Sequence, residues 1–326
     1  MSQNKEISRD GSFKRQRTLF TTPFGNRQGD LPVEKNRYRL IWAAPCPWSH
    51  RAVIVRKLLG LEEAISLGEV APIRPDVPRI DWDFSLDENG IDPVLGIQYL
   101  SEIYHQTDLQ YNGRPTVPVV IDLHQKKVVN NDYFNLTTYF ETEWASFHKE
   151  GAPDLYPEHL RTEIDRWNDL IYDDINNGVY RCGFAQSQQA YEQAYDALFH
   201  RLDKLEEHLA RNRFLLGDYI TEADVRLYVT LARFDVAYYT VFKANKRRLI
   251  DYPNLWGYAR DLYHTSGFGE TTNFEAIKVH YYLSARLSPA TEKQEIIIPK
   301  GPDISIWEEE PDRENLSGKT EKFIIS

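Results

Sequence analysis

The segment that runs from residue 38 to residue 60 constrains the fold of this chain most strongly. Residues 38–42, Tyr-Arg-Leu-Ile-Trp, have the aromatic and β-branched character of a short strand, and Pro45 ends it. Pro47 suits the first turn of a helix, because a proline lacks the N–H that would have no partner there. The helix then has an apolar face, which stops at Gly60 and consists of Val53, Ile54, Leu58 and Leu59. One cysteine, Cys46, therefore lies where a strand is predicted to lead into a helix.

The segments that follow continue this alternation of strands and helices. A polar turn between two apolar runs predicts a hairpin, and Asn131-Asp132 after it offers capping groups for a helix. The predicted elements are a strand at 64–72, an inserted loop at 73–96, a helix near 97–105, hairpin strands at 116–121 and 126–130, and a helix that ends near Trp144. The order β-α-β-α-β-β-α predicts an α/β thioredoxin-like domain.

The second half of the chain is predicted to be all-α. Apolar residues recur there at alternating four- and three-residue spacing, which is typical of one face of a long amphipathic helix: Tyr191, Tyr195, Leu198, Leu202, Leu205 and Leu209. Another helix start is predicted at Thr221, which caps a helix whose third residue is Asp224, with Ile220 as a hydrophobic staple.

These patterns divide the chain into four parts. We predict an N-terminal arm at 1–36, a thioredoxin-like domain at 37–150, an all-helical domain at 151–288 and an irregular C-terminal tail at 289–326. The arm contains apolar residues that we expect to pack against the rest of the protein: Phe13, Leu19, Phe20 and Phe24.

The composition narrows the class of protein. A chain of 326 residues, of which 41% are hydrophobic, is expected to form packed globular domains, and two domains fit its length. The net charge of −10 argues against a nucleic-acid partner, which would need a cationic surface. No apolar run reaches the roughly 20 residues of a membrane helix, and the N-terminus lacks the apolar core of a signal peptide. With two cysteines and no paired Cys/His spacing for a metal, we predict a cytoplasmic protein without a metal.

Cys46 has two interpretations. At a helix start, unpaired N–H groups and the positive end of the helix dipole favour the thiolate, which is the nucleophilic form. The sequence Cys-Pro-Trp-Ser supplies no neighbouring cysteine, so a disulfide formed by Cys46 would need an outside thiol to resolve it. The alternative is a buried structural cysteine, as most free cysteines are.

Pro118, which directly precedes the third predicted strand, favours the reactive interpretation. In thioredoxin-like folds a proline at this point is typically cis and lies beside the reactive cysteine. We therefore predict a cis peptide bond between Val117 and Pro118, although most bonds before proline are trans. The backbone of Val117 would then be available to pair with a peptide thiol.

A series of motifs resembles one known family. In order along the chain they are CPWSHR, GRPTVPV, VVNND, NNGVYRCGFA, TEADVRLY, RFDVAYY, DYPNLWGYARDLY and NFEAIKVHYY. The series, which extends from about Phe13 to Tyr282, resembles the glutathionyl-hydroquinone reductases, the xi class of the glutathione transferases. The resemblance implies a thioredoxin-like N-terminal domain, an all-α C-terminal domain and a homodimer.

The resemblance also implies an activity and a set of catalytic residues. Members of the family take an aromatic glutathionyl-hydroquinone and return the hydroquinone and glutathione disulfide, with glutathione as the co-substrate. Cys46 matches the nucleophile of the family. Tyr180 and Tyr281 match its positions for holding the aromatic ring or supplying a proton, although each is otherwise an ordinary packing aromatic. Cys182 is interpreted as a small packing residue.

Further residues match the family's glutathione-binding positions: Trp82, Arg114, Val117, Pro118, Asp132 and Tyr133. Trp82 would pack against glutathione, or it anchors the inserted loop. Arg114 would pair with the glycine carboxylate of glutathione, or it is a solvated charge. Asp132 would pair with the amino group of the γ-glutamyl end.

The chain departs from the family pattern at the end of the fourth strand. The family usually has N-N-E-S where this chain has N-N-D-Y, so Asp132 is one methylene shorter and Tyr133 adds bulk where the ligand's carboxylate should lie. Weak glutathione binding, a shifted pose of glutathione and a related thiol such as γ-glutamylcysteine therefore all stay open. Two other functions also stay open: a glutaredoxin-like thiol transferase or dehydroascorbate reductase, and a non-catalytic binding protein with the same fold. A smaller departure is Ser49, where alanine is usual.

Overall fold

The structure, a computed structural model, describes residues 6–74, 80–284 and 297–325. The chain divides into two units. The sheet unit consists of Thr18–Ala152 and Thr271–Ile298, and the helical unit consists of Met1–Arg17, Pro153–Glu270 and Pro299–Ser326. The predicted fold class, a thioredoxin-like domain followed by a helical domain, is confirmed. The predicted domain limits stay predictions, and the limit at 288 lies outside the described residues.

A mixed sheet organises the sheet unit. Its described strands have the order β2-β1-β3-β4, with β1 parallel to β2 and antiparallel to β3, and with β3 antiparallel to β4. The elements are β1 (Tyr38–Trp42), α1 (Pro47–Leu58), β2 (Ile65–Glu69), α2 (Leu100–Thr107), β3 (Val119–Asp122), β4 (Lys127–Asn130) and α3 (Leu136–Thr142). This is the β-α-β-α-β-β-α order that the sequence predicts.

The helical unit follows. Its elements are α4 (Arg161–Ile171), a π-helical turn (Tyr172–Asn176), α5 (Gly178–Phe184), α6 (Gln188–Leu209), α7 (Glu222–Arg233), a second π-helical turn (Phe234–Tyr238), α8 (Tyr239–Val241) and α9 (Pro253–Tyr263). The last described α-helix, α10 (Phe274–Leu283), belongs to the sheet unit. None of the helices in the described ranges combines the length and apolarity needed to cross a bilayer.

The Cys46 side chain packs against an apolar core cluster of the sheet unit. The strands contribute alternating β-branched residues, and the inserted loop and α2 cover them. The buried residues of this core are Ile41, Ala43, Val70, Trp82, Phe84, Ile97, Leu100, Ile103, Tyr104, Tyr111, Val117, Val119, Ile121 and Val128. Phe20, Leu95 and Cys46 are partly buried against it. The thiol therefore lies at the border between the core and the surface.

The arm contributes three of its four predicted anchors. Phe13 and Phe24 are buried and Phe20 is half-buried, but the prediction for Leu19 is wrong, because its side chain is 63% exposed. The N–H of Asn131 donates to the carbonyl of Phe20 at 2.8 Å, and the N–H of Phe20 donates to the Asn131 side chain at 3.2 Å. These bonds hold the arm extended beside β4, and successive side chains of an extended segment point to opposite sides. With Phe20 directed inward, Leu19 is directed outward.

Helix α3 begins later than the sequence pattern predicts. Asn135 holds its N-terminal capping position, three residues beyond Asp132. The Asp132 carboxylate accepts hydrogen bonds from the Phe134 N–H at 3.3 Å and from the Asn135 side chain at 2.7 Å. Asp132 thus closes a turn before the helix, which is a common alternative for an aspartate to capping.

Candidate active site

Cys46 occupies the N-terminal capping position of α1. Its backbone is extended, with φ −78° and ψ 117°, and its side chain makes no capping hydrogen bond. Pro47 follows directly, and the first turn of α1 contains no acidic residue. The positive end of this helix is therefore not neutralised by its own first turn. This geometry is the helix start at which the sequence predicts a reactive cysteine.

Ser49 fixes the turn that carries Cys46. Its hydroxyl oxygen lies 3.0 Å from the Ala43 carbonyl, 3.2 Å from the Cys46 carbonyl and 3.2 Å from the Ala43 N–H, from which it accepts. The Cys46 N–H also donates to the Ala43 carbonyl at 2.9 Å. The end of β1 and the start of α1 are thus tied together directly beside the thiol.

Val117 and Pro118 lie next to the cysteine, as predicted. The peptide bond between them is cis, which confirms the sequence prediction. The Cys46 sulfur lies 3.5 Å from the carbonyl oxygen of Val117. The structure therefore brings the predicted nucleophile and the predicted backbone pairing position together.

Tyr133 packs against the first turn of α1. Its ring lies 4.8 Å from the Trp48 ring, and the Arg51 guanidinium lies 5.3 Å from the Trp48 ring and 5.8 Å from the Tyr133 ring. The Arg51 side chain also donates to the carbonyl of Tyr133. Arg51 is 1% exposed. The bulk that tyrosine adds at this position is thus packed into a cluster with Trp48 and Arg51.

Trp82 and Tyr281 are connected through His280. The Trp82 ring is stacked on the His280 ring at 5.4 Å and 12°, and the Arg74 guanidinium lies 4.9 Å from the Trp82 ring. His280 meets Tyr281 edge-on at 5.1 Å. His280 Nδ1 lies 2.6 Å from the carbonyl of Pro72. These contacts fix the inserted loop on α10, as expected of a loop anchor.

Arg114 is half-buried in the segment that leads to Pro118. Its carbonyl accepts a hydrogen bond from the Tyr111 hydroxyl at 2.8 Å. The predicted roles of Arg114, Trp82 and Asp132 in binding glutathione stay predictions.

Tyr180 lies in the helical unit, within an aromatic cluster. Its ring is 5.2 Å from the Phe242 ring, 5.9 Å from the Tyr238 ring and 6.1 Å from the Phe184 ring. Two residues later on α5, Cys182 is buried, and burial raises the pKa of its thiol to about 12. A thiol that holds its proton so strongly is not a nucleophile at neutral pH.

Sequence reasoning passed over several residues that organise the site. His50 is fully buried, and its Nε2 lies 2.9 Å from the Thr271 hydroxyl. Arg51 and His280 were also passed over, although both lie within quoted motifs, Arg51 in CPWSHR and His280 directly before Tyr281. Within the described ranges, no group of three or more His, Cys, Asp or Glu side chains is placed to hold a metal ion.

Comparison with family models gives two matches. Residues 45–143 match the model described as "Glutathione S-transferase, N-terminal domain", and residues 188–261 match "Glutathione S-transferase, C-terminal domain". The "Glutathionyl-hydroquinone reductase YqjG" of Escherichia coli (strain K12) is 40% identical over 286 residues, which are 85% of this chain and 86% of that protein. The chain belongs to the glutathionyl-hydroquinone reductase family.

Solved structures agree with this assignment. The crystal structure of the xi glutathione transferase from Phanerochaete chrysosporium superposes with a TM-score of 0.83 at 40% identity, covering 91% of this chain and 94% of that one. The glutathione-bound structure of Escherichia coli YqjG gives 0.79 at 38% identity and covers 94% of each chain. The chain is an enzyme of the xi class. The homodimer and the cytoplasmic location stay predictions.

Proposed function

We propose that this enzyme is a glutathione-dependent reductase of glutathionyl-hydroquinones, with Cys46 as its nucleophile. The observation that carries the proposal is the position of Cys46 at an uncapped helix start, 3.5 Å from the carbonyl of Val117, in a chain of this family. The glutathione-bound structure of a relative supports glutathione as the thiol.

In the first step, the Cys46 thiolate attacks the glutathione sulfur of the conjugate. A sulfur–sulfur bond forms between Cys46 and glutathione, and the bond between sulfur and the aromatic carbon breaks. The electron pair of that bond goes to the aromatic carbon, which takes up a proton and leaves as the free hydroquinone. The thiolate is the attacking form, since a protonated thiol is a weak nucleophile.

In the second step, a second glutathione thiolate attacks the glutathione sulfur of the mixed disulfide. Glutathione disulfide is released and the Cys46 thiolate is regenerated. Across both steps the thioether sulfur of the conjugate and one glutathione thiol are joined in a disulfide, and one aromatic carbon is reduced. One protein cysteine is sufficient for this cycle, which agrees with the high pKa of the buried Cys182.

Other residues are assigned to the two halves of the conjugate. We propose that Trp82, Arg114, Asp132 and the backbone of Val117 at Pro118 bind the glutathione half, beside Tyr133. We propose that Tyr180 and Tyr281 contact the aromatic half, where a phenol would hold the ring or supply the proton that the carbon takes up.

The test incubates the enzyme with glutathionyl-menadiol and excess glutathione. The release of free hydroquinone is measured by chromatography. We expect turnover by the wild type, a loss of at least about a thousandfold in Cys46→Ala, and near wild-type turnover in Cys182→Ala, the matched cysteine control. No wild-type turnover, with Cys46 still reactive toward a small disulfide, would instead identify a thiol transferase that uses another thiol. An unreactive Cys46 would identify a non-catalytic binding protein.

A further inference from the structure

The first described part of the arm belongs to the helical unit and packs against its helices. Residues 6–17, which we name the arm hairpin, are closed by a bridge between Ile7 and Phe13. At its tip, the Gln186 N–H donates to the Gly11 carbonyl at 2.9 Å, and the Ser187 hydroxyl donates to the Asp10 carbonyl at 2.7 Å. The hairpin is therefore fixed where α5 ends and α6 begins.

This docking places Arg15 against Tyr180. The Arg15 guanidinium carbon lies 4.6 Å from the centre of the Tyr180 ring and 5.5 Å from that of Phe13. The Arg15 Nε donates to the Asn177 side-chain oxygen at 3.2 Å, one turn before Tyr180. A half-buried guanidinium held by a hydrogen bond over an aromatic ring is a specific arrangement rather than a freely moving charge.

Tyr180 also has aromatic neighbours. The rings of Phe184, Tyr238 and Phe242 contact it, and Phe13 of the hairpin in turn packs on Phe184 at 5.2 Å. The Tyr180 ring is thus positioned by a neighbouring cation and by an aromatic wall to which the hairpin itself contributes. A planar cation beside this wall would also favour a ligand whose oxygen gains negative charge.

We propose that Arg15 is a positioning residue for the aromatic half of the substrate: it holds the Tyr180 phenol in place, so that the arm hairpin forms part of the hydroquinone site. The inference rests on the proposed function, in which Tyr180 contacts the hydroquinone. It adds the arm as a determinant of substrate affinity, separate from the chemistry at Cys46.

The first experiment compares Arg15→Gln, Arg15→Lys and the matched control Arg17→Gln, since Arg17 is an exposed arginine of the same hairpin. We expect Arg15→Gln to raise the KM for glutathionyl-menadiol about five- to tenfold, Arg15→Lys to fall between it and the wild type, and Arg17→Gln to change nothing. The rate at which Cys46 reacts with a small aliphatic disulfide should stay the same in all three. A general loss of structure would lower that rate together with turnover, which separates it from a positioning role.

A second variant moves Arg15 without changing it. Gly11 has φ +85°, and a Cβ there would lie 2.8 Å from the Ser187 backbone nitrogen, so Gly11→Ala should undock the hairpin. Its matched control is Gly29→Ala, since Gly29 has φ +98° with no atom within 4 Å of the added carbon. We expect Gly11→Ala to raise KM as Arg15→Gln does, and Gly29→Ala to leave KM unchanged.

Failure of the inference and failure of the proposed function give different results. Wild-type turnover with an unchanged KM in Arg15→Gln would overturn the inference and leave the function standing. If the wild type shows no turnover, the function is overturned, and calorimetric binding of menadione to Cys46→Ala protein with and without Arg15→Gln decides the inference. Binding weakened about fivefold or more by the arginine change would support Arg15 as part of an aromatic site, and equal binding would overturn it.

Discussion

Helices α1 and α7 differ in how their N-terminal ends are capped. At α1 the capping residue is Cys46, which makes no side-chain capping bond, and no acidic residue follows in the first turn. At α7 the capping residue is Thr221, and the Asp224 carboxylate accepts from its N–H at 2.8 Å and from its hydroxyl at 3.0 Å. The second arrangement is the one that the sequence Thr-Glu-Ala-Asp predicts.

The Asp224 carboxylate also ties the start of α7 to other parts of the helical unit. The Asp224 carboxylate also accepts from the Leu215 N–H at 3.0 Å and from the Tyr258 hydroxyl at 2.8 Å. Burial nevertheless raises the pKa of Asp224 above its usual value. Under the proposed function, the start of α7 holds the fold together, whereas the start of α1 leaves its electrostatic field to a reacting group.

The largest effect that would test this contrast is expected from Cys46→Ser. A serine at a capping position accepts an N–H of the first turn, so the free energy of unfolding should rise by up to about 1 kcal/mol. Turnover of glutathionyl-menadiol should fall by about a thousandfold or more, because a hydroxyl is not ionised at neutral pH. Urea unfolding and steady-state kinetics on the same preparation measure both. Retained turnover would show that the contrast has no catalytic meaning.

The second largest effect concerns the two thiols. Native protein near neutral pH should react with iodoacetamide at Cys46 and about a hundredfold more slowly, or not at all, at Cys182. Mass spectrometry of the Cys46→Ala and Cys182→Ala variants assigns each rate, and denatured protein should label both positions. Equal rates in the native protein would contradict the buried environment of Cys182.

The pKa of Cys182 also gives a sign for the dependence of stability on pH. Burial raises this pKa from an ordinary 9.0 to about 12, so the contribution of the protonated thiol is fully present below the unfolded pKa. It is lost as the pH rises from there toward about 12. The free energy of unfolding of the wild type should therefore fall more steeply in this range than that of Cys182→Ala.

An intermediate effect is expected at the α7 start. Asp224→Asn replaces an acceptor of several buried hydrogen bonds by an amide that has only one oxygen, and should cost about 2 kcal/mol of unfolding free energy. Thr221→Ala should cost about 1 kcal/mol. Turnover per folded molecule should stay within about twofold of the wild type, since this start belongs to the fold. A loss of turnover in folded protein would show that the start of α7 affects catalysis as well as stability.

The smallest effect is expected from Ser49→Ala at the turn before α1. The change removes bonds to Ala43 and Cys46 and leaves the Ala43 N–H without that acceptor, which should cost about 1 kcal/mol. Turnover should change by less than about threefold, because the thiol itself is retained. Unfolding in urea measures the cost, and an unchanged midpoint would show that the other bonds of the turn suffice.

Local patterns in the sequence predict much of this fold, because an amphipathic helix has to bury its apolar face. The spacing of Leu198, Leu202 and Leu205 predicts α6 because one face of a helix must be buried. The predictions fail where polar groups have several partners to choose from: Asp132 closes a turn instead of capping a helix. Which of two neighbouring apolar residues is buried, as for Leu19 and Phe20, is decided by a strand pairing that local sequence does not contain.

The residues of the candidate site also fall into those that the sequence predicts and those that it does not. Cys46 and Pro118 are predictable because each is marked by its own neighbours in the sequence. The partners that hold the site together are not, since His280 reaches the Pro72 carbonyl and Arg15 reaches Tyr180 across long stretches of chain. Only the folded structure supplies those pairs.

The extended part of the arm has a consequence for the whole molecule. β4 is the last strand in the order β2-β1-β3-β4, and Thr21 bridges to Asn130 there while the Asn130 side chain donates to the Thr22 carbonyl at 2.9 Å. An open strand edge is a template on which another chain can add its own strand. We therefore expect proteolytic loss of the arm to expose the edge of β4 and to promote aggregation.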